Sequence, residues 1–263
     1  MYRRFAGVLA AAGAVVCFAA PAAMSASHMQ VGFLDDSSTL YGDPDVTFPI
    51  FQKLRAQVVR VDLYWGGAKY AVAKRRPADA KDPDDPAYDW ALYDRTVNYA
   101  AQYGIKLLFT LWATPRWANG GKAYRYAPKN FNDLRNFAYA AAKRYPFVRR
   151  WTVWNEPNQR LSLATPSPRL YVARLLNPAY VSIHRANRHA LVAGGVTAPR
   201  GNTGGVGPLA WIRGMKAAHA KIDAYAHNPY PTRPSIESPS KGACSTCDVI
   251  SMANLDRLLA EVR

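Results

Sequence analysis

Between residues 29 and 263, short runs of β-branched and aromatic residues alternate with longer amphipathic runs, and this alternation limits the possible folds more than any single motif does. Strands separated by helices pair in parallel, because each helix carries the chain back along the sheet before the next strand begins. Strand-like runs fall at 29–33, 58–63, 105–110, 151–153, 191–196 and 222–227. Helical patterns lie between them, near 48–56, 90–103, 134–141, 171–189 and 208–220, with a last one at 252–263. Asn177-Pro178 is expected to interrupt the helix at 171–189, since proline disfavours helical backbone in the residue before it. The chain reads as an α/β protein with a parallel sheet, and its 263 residues suit one large domain.

The first 26 residues stand apart. Arg3 and Arg4 precede an uncharged Ala-, Gly- and Val-rich run from Phe5 to Ala23, and small residues follow at Ala22, Ser25 and Ala26. That is the order of a secretory signal peptide, so the expectation is a secreted, extracellular protein whose domain occupies 27–263. An uncleaved anchor is the competing form, but Pro21 and the alanine content favour removal, leaving no stable membrane insertion. The formal net charge is +16 and falls by two when the leader arginines leave. Its cations are dispersed, in pairs such as Arg75-Arg76 and Arg149-Arg150, and do not interleave with aromatics. A solvated basic surface is therefore expected, with no nucleic-acid partner. Outside the leader the cysteines are Cys244 and Cys247. In an exported protein a pair this close most simply staples a loop as a disulfide. A metal site would need further donors, so no metal or cofactor is expected.

The chemistry concentrates in the stretch from Val148 to Asn158. Trp151, Thr152 and Val153 favour extended backbone and Pro157 cannot donate to a sheet ladder, so a strand ends there and delivers Glu156 at its C-terminal tip. In a parallel barrel that end faces the pocket. A carboxylic acid beside the Asn155 amide and the Trp154 ring suits proton transfer to a leaving oxygen. The bland alternative is a turn acid that caps whatever follows Pro157.

The full run Trp154-Asn155-Glu156-Pro157-Asn158 resembles the acid/base signature at the end of the fourth strand in clan A retaining glycoside hydrolases. The resemblance covers about 29–263 and is nearest the cellulase-like and β-xylosidase-like branches. It implies a (β/α)8 TIM barrel that hydrolyses O-glycosidic bonds in β-linked poly- or oligosaccharides by double displacement. Glu156 would be the acid/base and Asn155 would hold the sugar's 2-hydroxyl.

Companion residues come from other strand ends. Arg60 lies inside the strand at 58–63, where a guanidinium among apolar side chains is costly unless it meets an acid. That acid is either a carboxylate in the site or one on a helix outside the barrel; clan A enzymes often hold their nucleophile with such an arginine. Trp65 opens a long loop over the pocket, and Trp112 follows the third strand. Sugar C–H faces lie flat on aromatic rings, so both tryptophans are candidate platforms, with rim packing the alternative for Trp112. Many relatives carry a histidine where Trp112 falls. The sixth strand runs into His227-Asn228-Pro229-Tyr230, and this tip resembles the clan position that contacts the nucleophile or the sugar. His227 and Tyr230 are therefore assigned to the site, against the alternative of a purely structural histidine.

Retention requires two carboxylates about 5–5.5 Å apart. Besides Glu156 the glutamates are Glu237, in a Pro/Ser-rich loop, and Glu261, in the last helix. The resemblance places the nucleophile at the end of a seventh strand, whereas about six βα units are legible against eight in a whole barrel. The expectation is a barrel lacking its last two units, a fragment or truncated reading frame that is inactive alone and poorly soluble at its open edges, with Arg60 missing its partner. The alternative function is a noncatalytic carbohydrate-binding or cell-wall-binding barrel.

Overall fold

The computed structural model describes residues 29–67, 69–231, 238–241 and 247–263. The leader expected at 1–26 and Cys244 lie outside the described residues, and Cys247 is disulfide-bonded.

Six strands form one sheet in chain order: β1 (Gly32–Leu34), β2 (Val58–Tyr64), β3 (Lys106–Trp112), β4 (Arg150–Val153), β5 (Leu191–Thr197) and β6 (Ala224–His227). Every neighbouring pair is parallel. Helices α1 (Asp36–Thr39) and α2 (Pro44–Lys53) join β1 to β2, and α3 (Ala91–Gln102) joins β2 to β3. Next come α4 (Arg116–Asn119) and α5 (Phe131–Arg144), α6 (Pro168–Tyr171) and α7 (Asn177–Ala186), α8 (Pro208–Ala217), and α9 (Leu255–Val262) after β6. Parallel strands in unbroken sequence order, each followed by a helix, make an incomplete (β/α)8 barrel.

The strand pleat separates the two faces of this sheet. In β2, Val59, Val61 and Leu63 are fully buried under the helices, while Arg60, Asp62 and Tyr64 are half-buried on the inner side. The outer layer is aromatic. Phe109 meets Trp151 at 5.5 Å and Tyr145 at 5.3 Å, and Trp90 stacks on Phe137 at 5.8 Å. Helix α5 presents Leu134, Phe137, Ala138 and Ala141 to this layer at helical spacing, as the sequence suggests.

Two expectations change. The helix at 171–189 is not broken at Asn177-Pro178; a π-helical segment, Val172–Leu176, links α6 directly to α7. The wider i→i+5 turn gives the Pro178 ring room beside the preceding carbonyls, where an α-turn would clash. The first strand also begins at Gly32 and not at 29, and it approaches β2 so closely that a Cβ on Gly32 would meet the Val58 carbonyl oxygen.

Candidate active site

The site is built where β4, β5 and β6 end. Trp154 and Glu156 hold left-handed backbone at φ 70° and 46°, as does Val196 on β5 at φ 46°. Such angles cost a non-glycine residue roughly 1 kcal/mol or more and persist only where the surroundings impose them. Here the Trp154 N–H donates to the Leu111 carbonyl at 2.8 Å and the Glu156 N–H to the Val196 carbonyl at 2.9 Å. The Trp154 indole N–H bonds the Ser162 carbonyl at 3.0 Å, and its ring packs on Trp112 at 5.1 Å. The turn thus buries Trp154 completely and leaves Glu156 half-buried at the rim.

Glu156 Oε1 accepts a hydrogen bond from Asn228 Nδ2 at 3.0 Å. Next to it, Asn155 Oδ1 accepts from Arg60 Nη2 at 2.9 Å. Arg60 Nε donates to Thr110 Oγ1 at 2.8 Å, and Thr110 Oγ1 accepts from Thr152 Oγ1 at 2.8 Å. A polar chain therefore runs across the inner faces of β2, β3 and β4 to the residue preceding Glu156.

Arg60 does meet a carboxylate, on its own strand. Arg60 Nη2 lies 3.5 Å from Asp62 Oδ1, because residues two apart on a strand share a face. Asp62 belongs to a second cluster at the ends of β1 and β2. Asp36 Oδ1 accepts from the Asp62 N–H at 3.2 Å, and its Oδ2 accepts from the Tyr64 hydroxyl at 3.2 Å. Burial, followed by the charge of Asp62, pushes the Asp36 carboxyl up to about 6. Burial also raises Asp62, with Arg60 opposing it. The sequence reading missed Asp36, Asp62 and Asn228 as site residues; counting two residues on from Arg60 picks out Asp62.

Other assignments separate in space. Trp65 is 1% exposed, stacked on Phe137 at 5.7 Å and edge-on to Trp117 at 5.6 Å, so it is a core residue with no face for a sugar. An aromatic that follows a strand can turn outward as readily as inward, and here it turns under the helices. Trp112 ends β3 half-buried, tilted against Trp154 and Tyr124. His227 has both ring nitrogens engaged, Nδ1 with Thr197 Oγ1 at 2.8 Å and Nε2 with the Ile250 carbonyl at 3.0 Å, and burial holds its pKa below the usual histidine value. Tyr230 is 61% exposed and makes no hydrogen bond among the described residues. From this strand end it is Asn228 that reaches Glu156. Glu261 is paired with Arg213 at 2.7 Å, and Glu237 lies outside the described residues. Among the described residues no group of three or more His, Cys, Asp and Glu side chains is arranged to hold a metal ion.

No protein-family model and no curated protein matches the sequence. Solved structures do match. The glucosidase from Croceicoccus marinus aligns over 74% of this chain and 42% of its own, with a TM-score of 0.59 and 16% identity. The monomeric β-xylosidase from Caulobacter crescentus CB15 aligns over 76% and 41%, with a TM-score of 0.58 and 16% identity. A family 39 glycoside hydrolase from the gut symbiont Bacteroides cellulosilyticus WH2 aligns over 80% and 40%, with a TM-score of 0.56 and 19% identity. The fold is that of the clan A glycoside hydrolases which the sequence resembles, present in part. This chain spans about two fifths of the length of these structures. At such identity the likeness establishes the fold, while activity must be argued from the site.

Proposed function

We propose that this chain forms the acid/base half of a retaining glycosidase site acting on O-glycosidic bonds of β-linked poly- or oligosaccharides. The observation that carries this reading is Glu156 at the tip of β4, with one carboxyl oxygen on Asn228 at 3.0 Å and its neighbour Asn155 fixed by Arg60 at 2.9 Å. In the first displacement Glu156 protonates the leaving oxygen; in the second it takes a proton from the attacking water. A guanidinium donates and never accepts, so Asn155 gives its oxygen to Arg60 and keeps its NH2 to donate to a sugar 2-hydroxyl oxygen. Trp112 offers the sugar an apolar edge. The neighbouring structures are named as a glucosidase, a β-xylosidase and a family 39 glycoside hydrolase, which supports a carbohydrate substrate.

The first displacement needs a nucleophilic carboxylate about 5–5.5 Å from Glu156, which water displaces in the second. The clan A resemblance implies a nucleophile on a strand beyond β6, and Glu261, the other glutamate among the described residues, is paired with Arg213. The leader at 1–26 fits a secreted enzyme. The test is turnover by a barrel completed to eight units. Glu156→Gln is expected to lower kcat on glycosides with poor leaving groups by about 10²–10⁴-fold while oligosaccharide binding persists. Undiminished turnover in the variant overturns the assignment. Sugar binding without turnover in the completed wild-type barrel selects the noncatalytic carbohydrate-binding alternative.

A further inference from the structure

We propose that Asn228 is a positioning residue for Glu156, and that its amide determines which carboxyl oxygen carries the transferable proton; this deepens the acid/base reading and rests on it. The placement begins at the tip of β5. The Glu156 N–H donates to the Val196 carbonyl at 2.9 Å, and the Asn228 N–H donates to the carbonyl of the next residue, Thr197, at 2.8 Å. Successive carbonyls of one strand thus fix the backbones of both partners, one on each side.

Between those anchors the ladder slips. Gly195 pairs with Ala226 and Thr197 with His227, so Val196 is left over as a bulge. The slip sets Thr197 beside His227, whose imidazole is then held by the Thr197 hydroxyl and the Ile250 carbonyl. The pleat turns the following side chain the opposite way, and Asn228 Nδ2 meets Glu156 Oε1 at 3.0 Å.

The chemistry follows from what an amide nitrogen can do. Nδ2 carries only hydrogens to offer, so a proton on Oε1 would face another proton. The acid form of Glu156 therefore carries its hydrogen on Oε2, an oxygen with no hydrogen-bond partner among the described residues. In the first step that proton moves from Oε2 to the glycosidic oxygen as the C1–O bond breaks and its electron pair goes to oxygen. The nucleophile's carboxylate forms the new bond to C1 in the same step. The carboxylate left on Glu156 keeps its bond from Asn228 throughout. Asn228 does not titrate, so this orientation holds at any pH at which the fold persists.

Titration by carboxyl NMR tests the proposal without any need for activity. The sequence contains three glutamates, so a chain labelled with [13Cδ]glutamate shows three side-chain carboxyl signals, and Glu156→Gln removes the one to follow. Asn228→Asp keeps the shape and replaces the donor by a second carboxylate. The Glu156 titration midpoint is expected to rise by about one pH unit or more in that variant. Asn228→Ala is expected to raise it by a few tenths of a unit. The Glu261 signal, governed by Arg213, stays in place and reports that the fold is kept. A Glu156 midpoint identical in wild type, Asn228→Asp and Asn228→Ala overturns the proposal. In a completed barrel Asn228→Ala also lowers kcat about tenfold on poor leaving groups with KM unchanged. A Glu156 signal that responds to Asn228 in a barrel that never cleaves glycosides keeps the positioning role and removes the glycosidase reading, so the two failures are told apart.

Discussion

On the outer side of β2 stand Val59, Val61 and Leu63, buried under the helices; on the inner side of the same seven residues stand Arg60, Asp62 and Tyr64, half-buried and hydrogen-bonded. The contrast continues in β3, where Phe109 and Leu111 pack outward while Thr110 accepts from Arg60, and in β4, where Trp151 packs outward and Thr152 donates to Thr110. One face is held by non-directional burial, each large side chain contributing about 1.5–3 kcal/mol. The other is held by directional bonds among groups that are costly to bury unless every partner is in place. Residue parity therefore separates what keeps the sheet together from what aims Asn155 and Glu156.

That separation breaks most visibly at a large outer residue. Trp151→Ala removes a fully buried ring that packs on Phe109 and is expected to cost about 3–5 kcal/mol in a urea titration. Trp112→Ala, at a half-buried ring, should cost much less stability and instead weaken binding of β-linked oligosaccharides. Equal stability losses at the two positions would erase the distinction.

A smaller effect is expected on the inner face. Thr110→Val leaves Arg60 Nε and the Thr152 hydroxyl without their shared acceptor and should cost about 1–3 kcal/mol. Because Arg60 also holds Asn155, the same variant should also lower turnover in a completed barrel.

Asp36 gives an effect confined to part of the pH range. Its folded-state carboxyl sits at about 6 against an ordinary 3.8, so the folded chain holds that proton more tightly than the unfolded chain does. Its contribution to stability is complete below about pH 4 and is lost as pH rises through about 6. Asp36→Asn should therefore match wild type near pH 4 and be more stable at pH 8, by on the order of 2 kcal/mol. A gap of the same size at both pH values would show that Asp36 acts by its contacts and not by its charge.

Much of this was legible in the chain. Strands β2 and β5 follow their β-branched runs, β3 extends two residues further to Trp112, and Glu156 sits at the strand tip that Pro157 marks. Arg60 asked for an acid and found one two residues away. What stayed hidden depends on contacts distant in sequence. Choosing Asn228 over His227 follows from a bulge at Val196, which no residue on β6 announces. The inward or outward turn of Trp65 and Trp112 depends on helix α5 and on the buried Trp154 ring. Asn177-Pro178 reads as a break because local sequence does not distinguish a π-turn from a helix end.

The role given to Glu156 is tested most directly in a completed barrel carrying Glu156→Ala, supplied with an activated β-glycoside and sodium azide, with the anomeric configuration of the product read by NMR. If Glu156 is the acid/base of a retaining site, azide enters the space it vacates. The product is then the β-glycosyl azide, formed faster as azide increases. An α-glycosyl azide, or cleavage that ignores azide and matches wild type, would contradict it.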